Sequence, residues 1–182
     1  MGRAELGHRH ETGETNDFSV CTTWQMIKGD YYLADVFRDR LQYPDLRRKI
    51  ASLAVQHGAQ TILIENAGPG LTLLQDLHHT PPPGMPHPIG QKPNGSKADR
   101  VVAQSAKIEA GHVYLPRNAD WLDSFLLELL AFPHGRHDNQ VDSVAQFLSW
   151  AALREFGGVH TFPMPIIITK EPPGSEWDNR SW

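Results

Sequence analysis

Residues 132–150 read FPHGRHDNQVDSVAQFLSW, and the fold turns on how this stretch is read. If it is helical from Asp138, then Asp138 and Asp142 lie four residues apart on one face. Val141, Val144, Ala145, Phe147, Leu148 and Ala151 then supply an apolar face for packing. Two acids therefore stand at the start of a helix that is otherwise built for burial. The plain meaning is helix capping, since carboxylates near an N-terminus gain from the macrodipole. The sharper meaning is a divalent-metal site, which needs a partner acid elsewhere in the chain.

The bulk composition narrows the field. At 182 residues the chain suits one domain with a full core. A hydrophobic content of 40% with 21% charged residues is that of a soluble globular protein. The net charge of −4 offers no global attraction to nucleic acid, so any DNA contact must come from a local basic patch. No apolar run approaches the roughly 20 residues of a membrane span, and residues 1–14 hold no apolar signal core, so a cytoplasmic protein is expected. Cys21 is the only cysteine, which excludes an intrachain disulfide or a thiolate cluster and reads as a small buried hydrophobe in a strand.

Working back toward the N-terminus, residues 119–131 form an amphipathic helix with Trp121, Leu122, Phe125, Leu126, Leu129 and Leu130 as its expected core, ended by Pro133. Before it, residues 97–110 are a helix stopped by Gly111 and followed by the short strand HVYLP. Lys97, Arg100 and Lys107 make that helix basic on part of its surface, and a solvated face is the default meaning. Residues 80–96, dense in proline, read as an exposed irregular loop. The run AQTILIENAGPG is a strand buried on both faces that ends at Glu65, followed by a helix over residues 70–77. Acids at the C-terminal ends of such strands are where open α/β sheets place ligands, although a carboxylate that merely caps the next helix is the plainer alternative. His78 and His79 read as helix-end polar residues rather than metal ligands. Tyr43-Pro44-Asp45 opens a helix closed by Gly58, and before it DFSVCTTWQMI and YYLADVFRDR flank Lys28-Gly29-Asp30 as a β-hairpin. At the other end, residues 157–182 open on Gly157-Gly158 and carry four prolines and no period; they read as a tail in which IIIT is a candidate edge strand.

Block after block, TTWQMIKGDYYLADVFRDRLQYPDL, TILIENAGPGLTLLQDL, KADRVVAQSAKIEAGHVYLP and WLDSFLLELLAFPHGRHDNQVDSVAQFL resemble the C-terminal nuclease domain of phage and prophage terminase large subunits. The resemblance implies an α/β, ribonuclease-H-like fold, a mixed central sheet flanked by helices, with its first strand missing or out of frame. It divides the chain into residues 1–11 (disordered or out of frame), a nuclease-like domain over 12–156 and a tail over 157–182. It further implies a metal-dependent endonuclease that cuts concatemeric viral DNA during packaging, using two Mg²⁺ or Mn²⁺ ions held by acids from separate elements. By position, Glu65, Asp138 and Asp142 are the implied catalytic and metal-binding acids, with Asn139 where the family usually has a second acid. Lys97 and Arg100 are the implied phosphate contacts on double-stranded DNA. The implied partners are the portal and the small terminase subunit, in the cytoplasm of a bacterial host. No Gly-Lys-Ser/Thr phosphate loop occurs, so this chain is not by itself the packaging motor.

One acid is missing. The family's first strand carries an aspartate in a block close to SWDTA followed by Lys, and that place here falls near Gly7 and His8. Yet residues 5–12, ELGHRHET, can be encoded as GAG CTG GGA CAC CGC CAT GAA ACC, and the same DNA read one base later spells Ser-Trp-Asp-Thr-Ala-Met-Lys. A frameshift before Asp17 accounts for this, and it removes any function from the His8 and His10 pair. The expectation is an impaired nuclease of a prophage remnant. The alternatives are a non-catalytic DNA-binding or assembly fragment, and a resolvase-like nuclease of the same fold.

Overall fold

The computed structural model describes residues 18–92, 97–155 and 177–178. The chain opens with a hairpin of β1 (Ser19–Ile27) and β2 (Asp30–Asp39). Lys28 and Gly29 both take positive φ, 53° and 92°, the pair of angles that lets a two-residue turn follow the right-handed twist of its strands. Ala34 is an extra residue on β2, because Thr23 pairs with Asp35 while Trp24 pairs with Leu33.

Helix α1 (Tyr43–Gln56) follows, with proline in its first turn, and Gly58 at φ 61° ends it. Strand β3 (Leu63–Glu65) and helix α2 (Gly68–His79) come next. Helix α3 (Lys97–Glu109), β5 (Val113–Pro116), α4 (Leu122–Ala131) and α5 (Asn139–Glu155) complete the main body. β5 lies parallel to β2 on the side away from β1, tied also by Tyr31 N–H to the His112 carbonyl at 2.8 Å.

Three expectations need correction. The proline-dense loop contains a strand, β4 (Ile89–Gln91), parallel to β3. It fits between Pro88 and Pro93 because only three residues must pair, and Leu74 packs where a side chain at Gly90 would stand. Strand β3 is shorter than the apolar run predicts, and only Ile64 of its three residues is fully buried, since among the described residues β3 has a partner on one side alone. Leu130 is not core: it is 70% exposed, and Leu127 is 72% exposed. The buried residues of α4 are Leu122, Phe125 and, unexpectedly, Glu128.

The main core lies between the β1–β2–β5 sheet and helices α4 and α5, with Trp24, Tyr31, Leu33, Phe125, Phe147 and Leu148 at its centre. Trp24 and Phe147 stack at 4.3 Å, and Tyr31 meets Phe147 edge-on at 5.5 Å. A second core joins α1 and α2 to β3 through Ala54, Ile64, Leu73, Leu74 and Leu77. The tail contributes β6 (Trp177–Asp178), antiparallel to β5, so an edge strand is added there; IIIT, like residues 1–17, lies outside the described residues.

Candidate active site

Among the described residues two sheets face each other without pairing: β1–β2–β5–β6 ends at β1, and β3–β4 ends at β3. Between these edges runs a cavity of about 340 Å³. Its walls are residues 18–22 of β1 and its approach, residues 61–65 leading along β3, an apolar side from α1 and α2, and a polar side from α5. Glu65 and Asp142 both line it, together with Asn139, Ser143 and Gln146.

Glu65 is held by the backbone around it. Asn66 N–H donates to the Gln91 carbonyl at 2.9 Å, which ties the strand end to β4. The first turn of α2 approaches so closely that a Cβ on Gly70 would collide with the Glu65 carbonyl oxygen, so glycine is required there. Asp142 is placed by α5, which is fixed to β1 through a 2.8 Å hydrogen bond between the Thr22 and Ser143 hydroxyls. Trp24 Nε1 donates to the same Thr22 oxygen at 2.9 Å. Lying in the first turn of α5, the Asp142 carboxylate also gains from the helix dipole.

Asp138 is placed differently. Its carbonyl accepts the Asp142 N–H at 2.9 Å, the first bond of the helix, and it does not line the cavity. Glu128 of α4, only 8% exposed, also serves the α5 N-terminus: its carboxylate accepts Gln140 N–H at 2.6 Å and Gln140 Nε2 at 2.7 Å. Arg38 stands 3.5 Å from Glu128 and balances its charge. Sequence reasoning missed this network, because an acid amid four leucines reads as the solvent face. Lys97 and Arg100 fall in the first turn of α3, and their side chains lie outside the described residues. A cationic group that sequence reasoning did not single out packs on Phe18, which lines the cavity: Arg38 and Arg40 sit 3.7 and 4.4 Å from its ring centre, and His137 meets the same ring edge-on.

Cys21 lines the cavity without chemistry of its own. Although the residue as a whole is half-buried, burial pushes its thiol up to about 11, with the Asp35 charge adding to the effect. With that value above the ordinary 9.0, the thiolate is scarce at neutral pH, so alkylation of native protein at pH 8 is expected to run about a hundredfold slower than in the denatured chain. Iodoacetamide kinetics with and without denaturant measure this, and equal rates would refute the burial argument.

A mixed α/β domain with acids from a strand end and from a late helix converging on one cavity is the ribonuclease-H-like class of fold. The chain belongs to the terminase RNaseH-like domain family, which matches residues 10–150. No curated protein and no solved structure matches it. In kind, the oxygen donors Glu65, Asp142 and Asn139 suit a hard divalent ion. In number they fall short of two ions, since among the described residues no three His, Cys, Asp or Glu side chains stand together as ligands. Among the described residues, no helix is long and apolar enough to cross a membrane.

Proposed function

We propose that this chain is the nuclease domain of a phage or prophage terminase large subunit, a metal-dependent endonuclease for concatemeric DNA whose cleavage is slowed by the missing first-strand acid. The observation that carries the reading is that Glu65 and Asp142, from separate elements of a terminase RNaseH-like domain, line one cavity. In this reading Glu65 and Asp142 hold a Mg²⁺ or Mn²⁺ ion. A bound ion of this kind supplies Lewis acidity at the phosphate and lowers the pKa of its water.

The chain's own residues do the rest. Arg40, packed on the Phe18 ring that lines the cavity, draws the DNA backbone toward it, adding to the contacts implied for Lys97 and Arg100. The α5 N-terminus favours the negative charge that gathers near Asp142. The partners are double-stranded DNA, the portal and the small terminase subunit, in the host cytoplasm.

Among the described residues only two carboxylates line the cavity, which favours a second reading, a non-catalytic DNA-binding or assembly fragment. Incubation of supercoiled plasmid with the chain and Mn²⁺ separates the two. Slow nicking that stops with EDTA is the expected result; DNA binding without nicking would establish the second reading and refute the first.

A further inference from the structure

We infer that the buried group of Glu128, Gln140 and Arg38 pins the register of helix α5, and that Glu128 is the positioning residue that keeps Asn139 and Asp142 turned toward the cavity. The register itself follows from how α5 packs; its consequence for an ion rests on the metal-site reading proposed above.

On a helix of 3.6 residues per turn, Asn139, Asp142, Ser143 and Gln146 fall within about 100° of one another, and all four line the cavity. Gln140 points elsewhere, about 160° from Asp142, in a row with Val144, Phe147 and Ala151. Those three are buried apolar residues, and Gln140, 1% exposed, is the one polar member of their row. Holding Gln140 on the buried side therefore turns Asp142 to the opposite side.

Apolar packing alone does not fix that rotation, because cores of the right volume lose uniqueness before they lose stability. A slip of α5 by one residue turns the helix by about 100° and carries Asp142 off the cavity. The bond between the Thr22 and Ser143 hydroxyls does not forbid such a slip, since a threonine hydroxyl donates equally well to the carboxylate of the neighbouring Asp142. Glu128 does forbid it. Its two oxygens accept two donors of a single residue, Gln140 N–H at 2.6 Å and Gln140 Nε2 at 2.7 Å. Val141 has no side-chain donor to replace Gln140, and Asn139 is one methylene too short. Glu128 is itself fixed from two directions: it lies on α4 between the buried Phe125 and the core-packed Leu129, and Arg38 of β2 stands 3.5 Å away, seated on the Phe18 ring. Three elements thus meet at one polar point.

Stability is a poor account of this group. Arg38 Nε and Gln140 Oε1 are buried without hydrogen-bond partners among the described residues, so the group is only partly satisfied. Apolar residues of the same volume often hold a fold as well or better than a buried ionic group does. What a polar residue in an apolar helix seam does supply is a single register.

Replacing the whole group by apolar residues separates register from stability. The triple variant Arg38→Met, Glu128→Leu, Gln140→Leu is expected to fold, with a melting temperature at or above that of the unaltered chain. Its amide NMR spectrum is expected to show a second set of signals for residues 139–146, populated to about 10% or more. Mn²⁺ affinity, read by water-proton relaxation, is expected to fall at least about tenfold. Glu128→Gln is the conservative control: the new amide oxygen still accepts Gln140 N–H, and its NH₂ donates to Gln140 Oε1 once the Gln140 amide turns over. One set of signals and Mn²⁺ affinity within about twofold of the unaltered chain are expected for it. A triple variant that fails to fold would show that the group serves stability and would overturn the inference. So would a folded triple variant with one set of signals and unchanged affinity, or doubled signals in Glu128→Gln. If the unaltered chain binds no Mn²⁺, the metal-site reading fails, and the amide signals still decide the register.

Discussion

Phe147→Ala is expected to destabilise the domain by about 3–5 kcal/mol, the cost of truncating a fully enclosed aromatic. Phe147 stacks on Trp24 of β1, meets Tyr31 of β2 and lies near Trp150 of its own helix, so one ring joins the hairpin to α5. Its loss leaves a void beside Trp24, whose Nε1 donates to Thr22 and so helps place α5. Against a total of about 5–15 kcal/mol for a domain, such a loss removes a large share of the stability. Leu130→Ala provides the contrast: 70% exposed, it is expected to change stability by less than about 0.5 kcal/mol. Urea unfolding followed by tryptophan fluorescence and circular dichroism reads both variants as shifts in midpoint at constant slope. Equal losses in the two would refute the assignment of the core.

The same contrast marks how far sequence reasoning reaches. The helix from Asn139 was legible because Val141, Val144, Ala145, Phe147, Leu148 and Ala151 recur at helical spacing, and each is buried. The α4 helix is apolar on nearly every side, so periodicity could not choose between Leu129 and Leu130. It also concealed Glu128, whose burial depends on Arg38 and Gln140, partners that only the tertiary structure brings near. The hairpin was legible from its turn chemistry, while β4 was not, because its pairing depends on β3 and not on its own composition.

For the site, Glu65 could be placed from the abrupt end of an apolar run. Asp138 and Asp142 could not be ranked by spacing alone, since both share a face. Their difference comes from tertiary packing, which turns residue 142 toward the cavity and leaves residue 138 where the helix begins. The gap between β1 and β3 was foreshadowed by the missing first-strand block, but its two-sided chemistry came only from the helices that close it.

Glu65→Ala and Asp142→Asn are each expected to abolish the Mn²⁺-dependent nicking proposed for this chain, at least about a hundredfold below the unaltered protein. Among the described residues each provides one of two carboxylates on the cavity, so either change removes half of that acid set. Mn²⁺ affinity, read by water-proton relaxation, is expected to fall at least about tenfold in both variants. Stability should scarcely move in Glu65→Ala, because that side chain is exposed at a strand end. Asp142→Asn keeps the shape of the side chain and gives up the favourable interaction of its charge with the α5 dipole, about 0.3–1 kcal/mol. Asp138→Ala should behave in the opposite sense, losing about 1 kcal/mol at the start of the helix while retaining most of the Mn²⁺ affinity. Nicking that survives both Glu65→Ala and Asp142→Asn would place the chemistry elsewhere. If Asp138→Ala loses the metal and Asp142→Asn keeps it, the two acids exchange roles and the cavity is not the ion's seat.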